Sequence, residues 1–206
     1  IDIKTLLSIK EVWLVAGIIF CGYQVFWSTY SFSGFLQVHF NLSAVAAGFI
    51  TVAKLWMRPI GGIGGGIIGD KFGNTKVLGI CLVGSACGLL IMSFLPALGT
   101  VVFLLIIVLL IGVMTYTIRA LYWVILDGCD IPIYITGLGI GLISVIGYLP
   151  DVFVPLINGY FLGTYPGSTG FVYFFTYIAA VSLIGSLITA YLHVCLKRKQ
   201  AKKLGK

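Results

Sequence analysis

Six apolar stretches divide the chain, at residues 12–32, 42–68, 77–95, 100–126, 136–162 and 170–196. Each is about 20 residues or longer, enough to cross a hydrocarbon core of about 30 Å as a helix. None alternates strictly between apolar and polar positions, so the pattern predicts helices and not the strands of a barrel. Ahead of the first stretch, Ile3, Leu6, Leu7 and Ile9 interleave with Asp2, Lys4, Lys10 and Glu11. That mix fits a short interfacial helix or a frayed linker end. The predicted organisation is a leading segment (residues 1–11), a six-helix transmembrane bundle (12–196) and a basic tail (197–206).

Composition agrees. The 206 residues are 60% hydrophobic and 9% charged, with a mean hydropathy of +1.12. A water-facing domain needs about 25% charged residues. The solvent is therefore lipid, where the backbone must satisfy its own hydrogen bonds. The net charge of +7 does not point to nucleic acid, because six of the thirteen basic residues lie between Lys197 and Lys206. A basic tail after a span marks the cytoplasmic side and meets anionic lipid. Cys21, Cys81, Cys87, Cys129 and Cys195 read as small packing residues and not as a disulfide frame. The chain begins at Ile1 without the parts of a signal peptide, and is expected to be a fragment, a processed product or a truncation of something longer.

Basic residues also orient the spans. Lys4 and Lys10 precede the first span, Lys71 and Lys76 separate the second from the third, and the tail follows the sixth. With six spans these places share one side. The opposite loops, near His39, Pro96 to Gly99 and Gly163 to Ser168, carry no Lys or Arg. Both termini are expected in the cytoplasm.

Glycine crowds the end of the second stretch at positions 61, 62, 64, 65, 66 and 69, which suits close helix packing, static or sliding. The loop that follows resembles the signature of the major facilitator superfamily: Gly, three residues, Asp, a basic residue, any residue, Gly, then one or two basic residues. Gly66, Asp70, Lys71, Gly73 and Lys76 match, and Thr75 departs, since a basic residue is often found there. The resemblance implies an all-α membrane fold, six helices as two inverted three-helix repeats forming half of a transporter. It implies that the loop latches the outward-open state. Arg119-Ala-Leu-Tyr-Trp123 and Gly147-Tyr-Leu-Pro150-Asp151 lack the patterns usual in the fourth and fifth helices of the N-terminal half. The leading segment and basic tail likewise resemble the C-terminal half. The general shape resembles the organic-anion and organophosphate branch. The expected function is secondary active transport, by symport or antiport, in the plasma membrane, the inner membrane in a bacterium. The expected partners are a small solute, the bilayer and a second six-helix half.

Ionisable groups inside a bilayer are costly and default to functional candidates. Lys54 and Arg58 are four apart and would share a face. Arg58 lies about 18 Å in from Asp70, near mid-depth, with Pro59 breaking the helix beside it. Two cations at a break suggest an anion site. Arg119 faces the cavity or pairs with Asp127 or Asp130. Asp151, between Pro150 and Pro155, is a proton site or a salt-bridge partner of Lys54 or Arg58. Asn158 follows on the same face. In the first span Gln24 and Trp27, and again Trp27 and Tyr30, are three apart, a stripe suited to a solute, although Tyr30 reads better as an interfacial aromatic. Tyr116, Tyr122 and Trp123 are ambiguous in the same way.

Three cations against one acid favour an anionic solute: an organic acid, a sugar acid, a phosphate ester or a small inorganic anion. A polyspecific exporter of neutral or cationic compounds is the alternative within transport, and a non-transporting fragment is another. No phosphate-binding loop, nucleophile motif or metal-ligand cluster accompanies His39 and His193, so no cofactor, metal or catalytic residue is expected. Asp127 to Asp130 reads as a turn. A lipid enzyme would need a His, Asp or Ser cluster near one interface, which the chain lacks.

Overall fold

The computed structural model describes residues 2–95, 101–129 and 131–204, and all regular structure among them is helical. The Pro96–Gly99 loop, Asp130 and Lys206 lie outside the described residues. Helix α1 (Asp2–Ser8) leads into α2 (Lys10–Ser28). Leu6 of α1 is 1% exposed and packs towards Gly139 of α9 (Ile133–Gly147). The leading segment is therefore a helix docked on protein.

A 3-10 turn at Thr29–Ser31 joins α2 to α3 (Phe32–Phe40). There Ser28 and Thr29 donate their hydroxyls to the carbonyls of Val25 and Phe26, each at 2.7 Å, which bends a helix. Asn41 ends α3 with φ of 51°, and Ser43 caps α4 (Ala44–Ala53) by accepting from the Ala46 N–H.

The second stretch is a broken helix. After α4 come a 3-10 turn (Lys54–Trp56), the short α5 (Met57–Pro59), a π turn (Ile60–Gly64) and α6 (Gly65–Phe72). Pro59 removes a donor, and the change of helix type around it accommodates the loss. Gly73, at φ 99°, then turns the chain into α7 (Asn74–Phe94), and its N–H donates to Gly69 at 2.8 Å. Helix α8 (Val101–Val124) ends in a 3-10 turn at Ile125–Cys129. The fifth stretch breaks between α9 and α10 (Pro150–Thr164), with Pro150 starting the second half. Helix α11 (Thr169–Leu204) runs 36 residues and carries much of the basic tail in helical form. Lys199 meets Glu11 at 2.8 Å.

Five helical segments are long and apolar enough to cross a membrane: Lys10–Phe40, Asn74–Phe94, Val101–Cys129, Tyr134–Thr164 and Thr169–Lys202. The broken run from Ala44 to Phe72 is not among them. Helix α2 is central, packed by α8, α9, α10 and α11, while α7 fills the space between α8 and α11. Cys21, Cys129 and Cys195 are buried as packing residues, but Cys87 is exposed.

The glycine cluster sorts by face. Gly61, Gly65 and Gly69, four apart, lie against α8: an added Cβ would come within 2.6 Å of the Val113 carbonyl at Gly61 and within 2.5 Å of Thr117 at Gly65. Thr117 also donates to the Gly61 carbonyl at 2.9 Å. Gly62, Gly64 and Gly66 face open space. Gly61→Ala should therefore cost about 1–3 kcal/mol by overpacking, while Gly64→Ala should be neutral or stabilising. Thermal unfolding of the two variants in detergent checks this.

Candidate functional site

The breaks in the second and fifth stretches decide which side chains meet. A 3-10 turn has three residues per turn, so a four-residue step no longer returns to one face. Lys54 and Arg58 consequently part. Lys54 is buried, with its stem against Gly112, its Nζ 3.5 Å from the Thr29 carbonyl and 5.7 Å and 5.8 Å from the Tyr30 and Phe32 rings. Arg58 is exposed and lines a cavity of about 300 Å³ with Gly62, Tyr116, Arg119 and Ala120. The cation that lines a cavity with Arg58 is Arg119, not Lys54.

Arg119 is held by aromatic faces. Its guanidinium carbon lies 4.1 Å from the centre of the Phe26 ring and 5.5 Å from that of Tyr23, both on α2. Such stacking steers a guanidinium while leaving its N–H groups available. Tyr122 reaches both Arg119 and Tyr148. Tyr116 lies in the combined field of Arg58 and Arg119.

Asp151 opens α10 directly after the break, where its own N–H and that of Val152 donate to the carbonyls of Tyr148 and Leu149 at 2.9 Å and 3.0 Å. It accepts from the Trp27 indole N–H at 2.7 Å, and the Tyr23 hydroxyl also interacts with it. Among the described residues no cation lies within 4.0 Å of it, so of its two readings the salt bridge to Lys54 or Arg58 is not formed in this conformation. Nor does Arg119 pair with Asp127; its alternative partner Asp130 is outside the described residues. Tyr23 therefore touches both charges, Arg119 through its ring and Asp151 through its hydroxyl.

A second cavity, of about 150 Å³, is lined by Trp27, Tyr30, Ser31, Pro155, Asn158 and their neighbours. Asn158 has a buried side-chain oxygen without a hydrogen-bond partner. Gln24 does not join this face. It is fully buried against α11 and accepts from the Tyr177 hydroxyl at 2.8 Å. Trp27 and Tyr30 do share it, with ring centres 5.2 Å apart.

The loop residues sit apart from both cavities. Asp70 and Lys71 are exposed, and Lys71 lies 5.5 Å from the Phe72 ring. Gly73 makes the turn, and the Lys76 N–H bonds the Gly73 carbonyl at 3.0 Å. Gly66 faces open space. No cluster of three or more His, Cys, Asp or Glu that could hold a metal exists among the described residues.

Tyr23, Phe26 and Tyr148 are neighbours of the candidate site that the sequence reading passed over. Residues 23, 26, 27 and 30 follow the three- and four-residue spacing of one helical face, which is the signal that could have found the first two. Tyr148 marks the break itself, with its ring centre 4.7 Å from that of Tyr23.

The chain is similar to two inner membrane proteins of Escherichia coli K12. It is 30% identical to the inner membrane protein YqcE over 178 residues, 82% of this chain and 41% of that protein. It is 27% identical to the inner membrane protein YihN over 207 aligned positions, 98% of this chain and 49% of that protein. The chain thus spans about half the length of the curated relatives it matches. No family model matches it. No solved structure matches it.

The separation of the two second-stretch cations has a direct readout. In a cysteine-free full-length protein, Arg58→Cys should react readily with a charged, membrane-impermeant thiol reagent in at least one orientation of vesicles. Lys54→Cys should stay protected. Equal labelling would mean that the two share a face after all.

Proposed function

We propose that the chain is the C-terminal six-helix half of a transporter of the major facilitator superfamily type, moving a small anionic solute by alternating access. The observation that carries the reading is the cavity that Arg58 and Arg119 share on an open face. Two guanidiniums in a membrane-spanning protein with no carboxylate within 4.0 Å among the described residues attract anions. Guanidiniums also match carboxylate and phosphate geometry through paired N–H donors.

Several observations support the architecture. The run 44–72 is broken but helical throughout, and serves as the sixth span. Breaks in the second and fifth helices bracket the polar face, as expected where a solute binds between repeats. The relatives are about twice this length, which leaves room for a second half of similar size. The Gly66 to Lys76 loop, with Asp70 and Lys71 exposed, is free to contact that half. The basic residues at the ends of α6, α7 and α11 support a cytoplasmic side for both termini. Asp151, held by Trp27 without a cation, suits a proton-coupling role.

Binding of carboxylate and phosphate-ester solutes to the full-length protein tests the site. Arg58→Gln and Arg119→Gln should each cost about 2–5 kcal/mol of affinity where the contact is desolvated. Arg58→Lys keeps charge without the planar fork and should retain part of the binding. If Arg58 only balances Asp151 in another conformation, the Arg58→Gln/Asp151→Asn pair should bind as the wild type does, and that result would sink the anion-site reading. Orientation is tested separately: a C-terminal fusion should be active with a reporter that works only in the cytoplasm and silent with one that needs the opposite side.

A further inference from the structure

A cavity of about 700 Å³ lies on the side of the bundle formed by α7 and α11, lined by none of the residues that line the two polar cavities. Its walls are Gly79, Val83, Ala190 and Val194 with their neighbours, and they are almost wholly apolar. Hydroxyls that face this seam are already committed: Ser182 donates to the Leu82 carbonyl at 2.8 Å and Ser186 to the Gly79 carbonyl at 3.2 Å. The two helices are thus tied at the back of the groove, and its floor offers few free polar groups.

One end of the groove is different. Thr75 and His193 meet there at 2.7 Å between hydroxyl and Nδ1, and Lys76 lines the same end. Thr75 and His193 also line an adjoining cavity of about 280 Å³, which Asn74, Lys197 and Gln200 complete. Lys76 and Lys197 both act electrostatically on the His193 ring, so two cations converge on this spot. Among the described residues no carboxylate lines either cavity. From Lys76 to Val83 the groove runs seven residues along α7, about 10 Å. An apolar trough of that length, within the size range of small-molecule sites, ends in a basic polar mouth where one span begins and another finishes.

We propose that this groove binds one anionic glycerophospholipid, its acyl chain lying along Gly79, Val83 and Ala190 and its phosphate held between Lys76 and Lys197. Charge complementarity and the amphipathic layout select this occupant. A zwitterionic lipid would bring its own cation to a site that already has two. A partner helix would leave both lysines unpaired at the mouth. Thr75 has a definite place in this arrangement: it stands where a second basic residue is often found in the loop that this sequence resembles, and it instead bonds His193 and keeps the groove open between the lysines.

Native mass spectrometry of the full-length protein, titrated with phosphatidylglycerol or with phosphatidylcholine of the same chains, tests the site. Wild type should retain phosphatidylglycerol preferentially. Lys76→Ala and Lys197→Ala should each lower that preference about fivefold. Ala190→Phe fills the trough at an exposed position, so folding should survive, and it should lower binding of phosphatidylglycerol itself. Glycerol phosphate, the head group alone, should not displace the bound lipid. Equal retention of the two lipids by wild type would overturn the proposal. So would undiminished phosphatidylglycerol binding in Ala190→Phe, which would assign the anionic lipid to the remaining basic tail, or displacement by glycerol phosphate, which would make it a free-anion site. Binding of solute by Arg58 and Arg119 is measured independently, so the two readings fail separately.

Discussion

Hydrocarbon offers no hydrogen bonds, and a helix in lipid can break only where something else takes over its freed backbone groups. In this chain the breaks are not scattered. Besides the bend at Thr29–Ser31, one occupies Lys54–Gly64 around Pro59, and another falls between α9 and α10 just before Pro150. Side chains beside both breaks join the polar face: Arg58 by the first, and Tyr148 and Asp151 by the second. The chemistry of the face follows from those two interruptions, because they redirect side chains that a regular helix would have aimed elsewhere. A continuous helix from Ala44 to Phe72 would have kept Lys54 and Arg58 on one side. The broken one buries the first and exposes the second.

The breaks are tolerable because the neighbouring packing is close. Gly61, Gly65 and Gly69 let α6 and the π turn lie directly on α8, and Thr117 supplies a hydroxyl to the carbonyl of Gly61. Dispersion at short range holds helices together in lipid, where no hydrophobic drive exists between them. Helix α2 works in the same way: Gly22 accepts Ile118, Gly185 accepts Cys21, and Gly147 accepts Ile19. The central helix is thereby fixed against three others, α8, α9 and α11, while its aromatic side, Tyr23 to Tyr30, stays turned to the polar face. Rigid backing and an open front are both consequences of where the small residues fall.

Much of this was legible in the sequence, for identifiable reasons. Apolar length marked six stretches, five of which lie in helices of membrane-crossing length, and Pro59 located a break, since proline has a single strong backbone consequence. The pairing of cations was not legible. It depended on how the chain would absorb Pro59, and the 3-10 turn followed by a π turn is one of several solutions that the same residues permit. Gln24 illustrates a different limit. Its spacing from Trp27 is right for a shared face, but Tyr177, 153 residues later, offers it a buried partner. Local periodicity cannot see such a contact. The partners of Arg119 were missed because stacking on Phe26 and Tyr23 satisfies a guanidinium without any acid, and a search for opposite charges passes over aromatic faces.

Asp151 shows what the assembled face can do that its parts cannot. A carboxylate and two guanidiniums within one polar strip would ordinarily collapse into salt bridges, and a collapsed site has no charge left for a solute. Here the carboxylate is occupied by the Trp27 indole and the Tyr23 hydroxyl, while Arg119 is occupied by the faces of Phe26 and Tyr23. The same aromatic side chains on α2 serve as spacers and as neutral partners. Hydrogen bonds from neutral donors and cation–π contacts are individually weaker than a desolvated ion pair, so the anion of the proposed function would draw Arg119 from its rings at modest cost. A small shift of α10 against α2 would break the Trp27 bond and free Asp151 for a proton or a cation. The face is thus held open by interactions weak enough to be exchanged, which is the condition that the proposed transport would place on it.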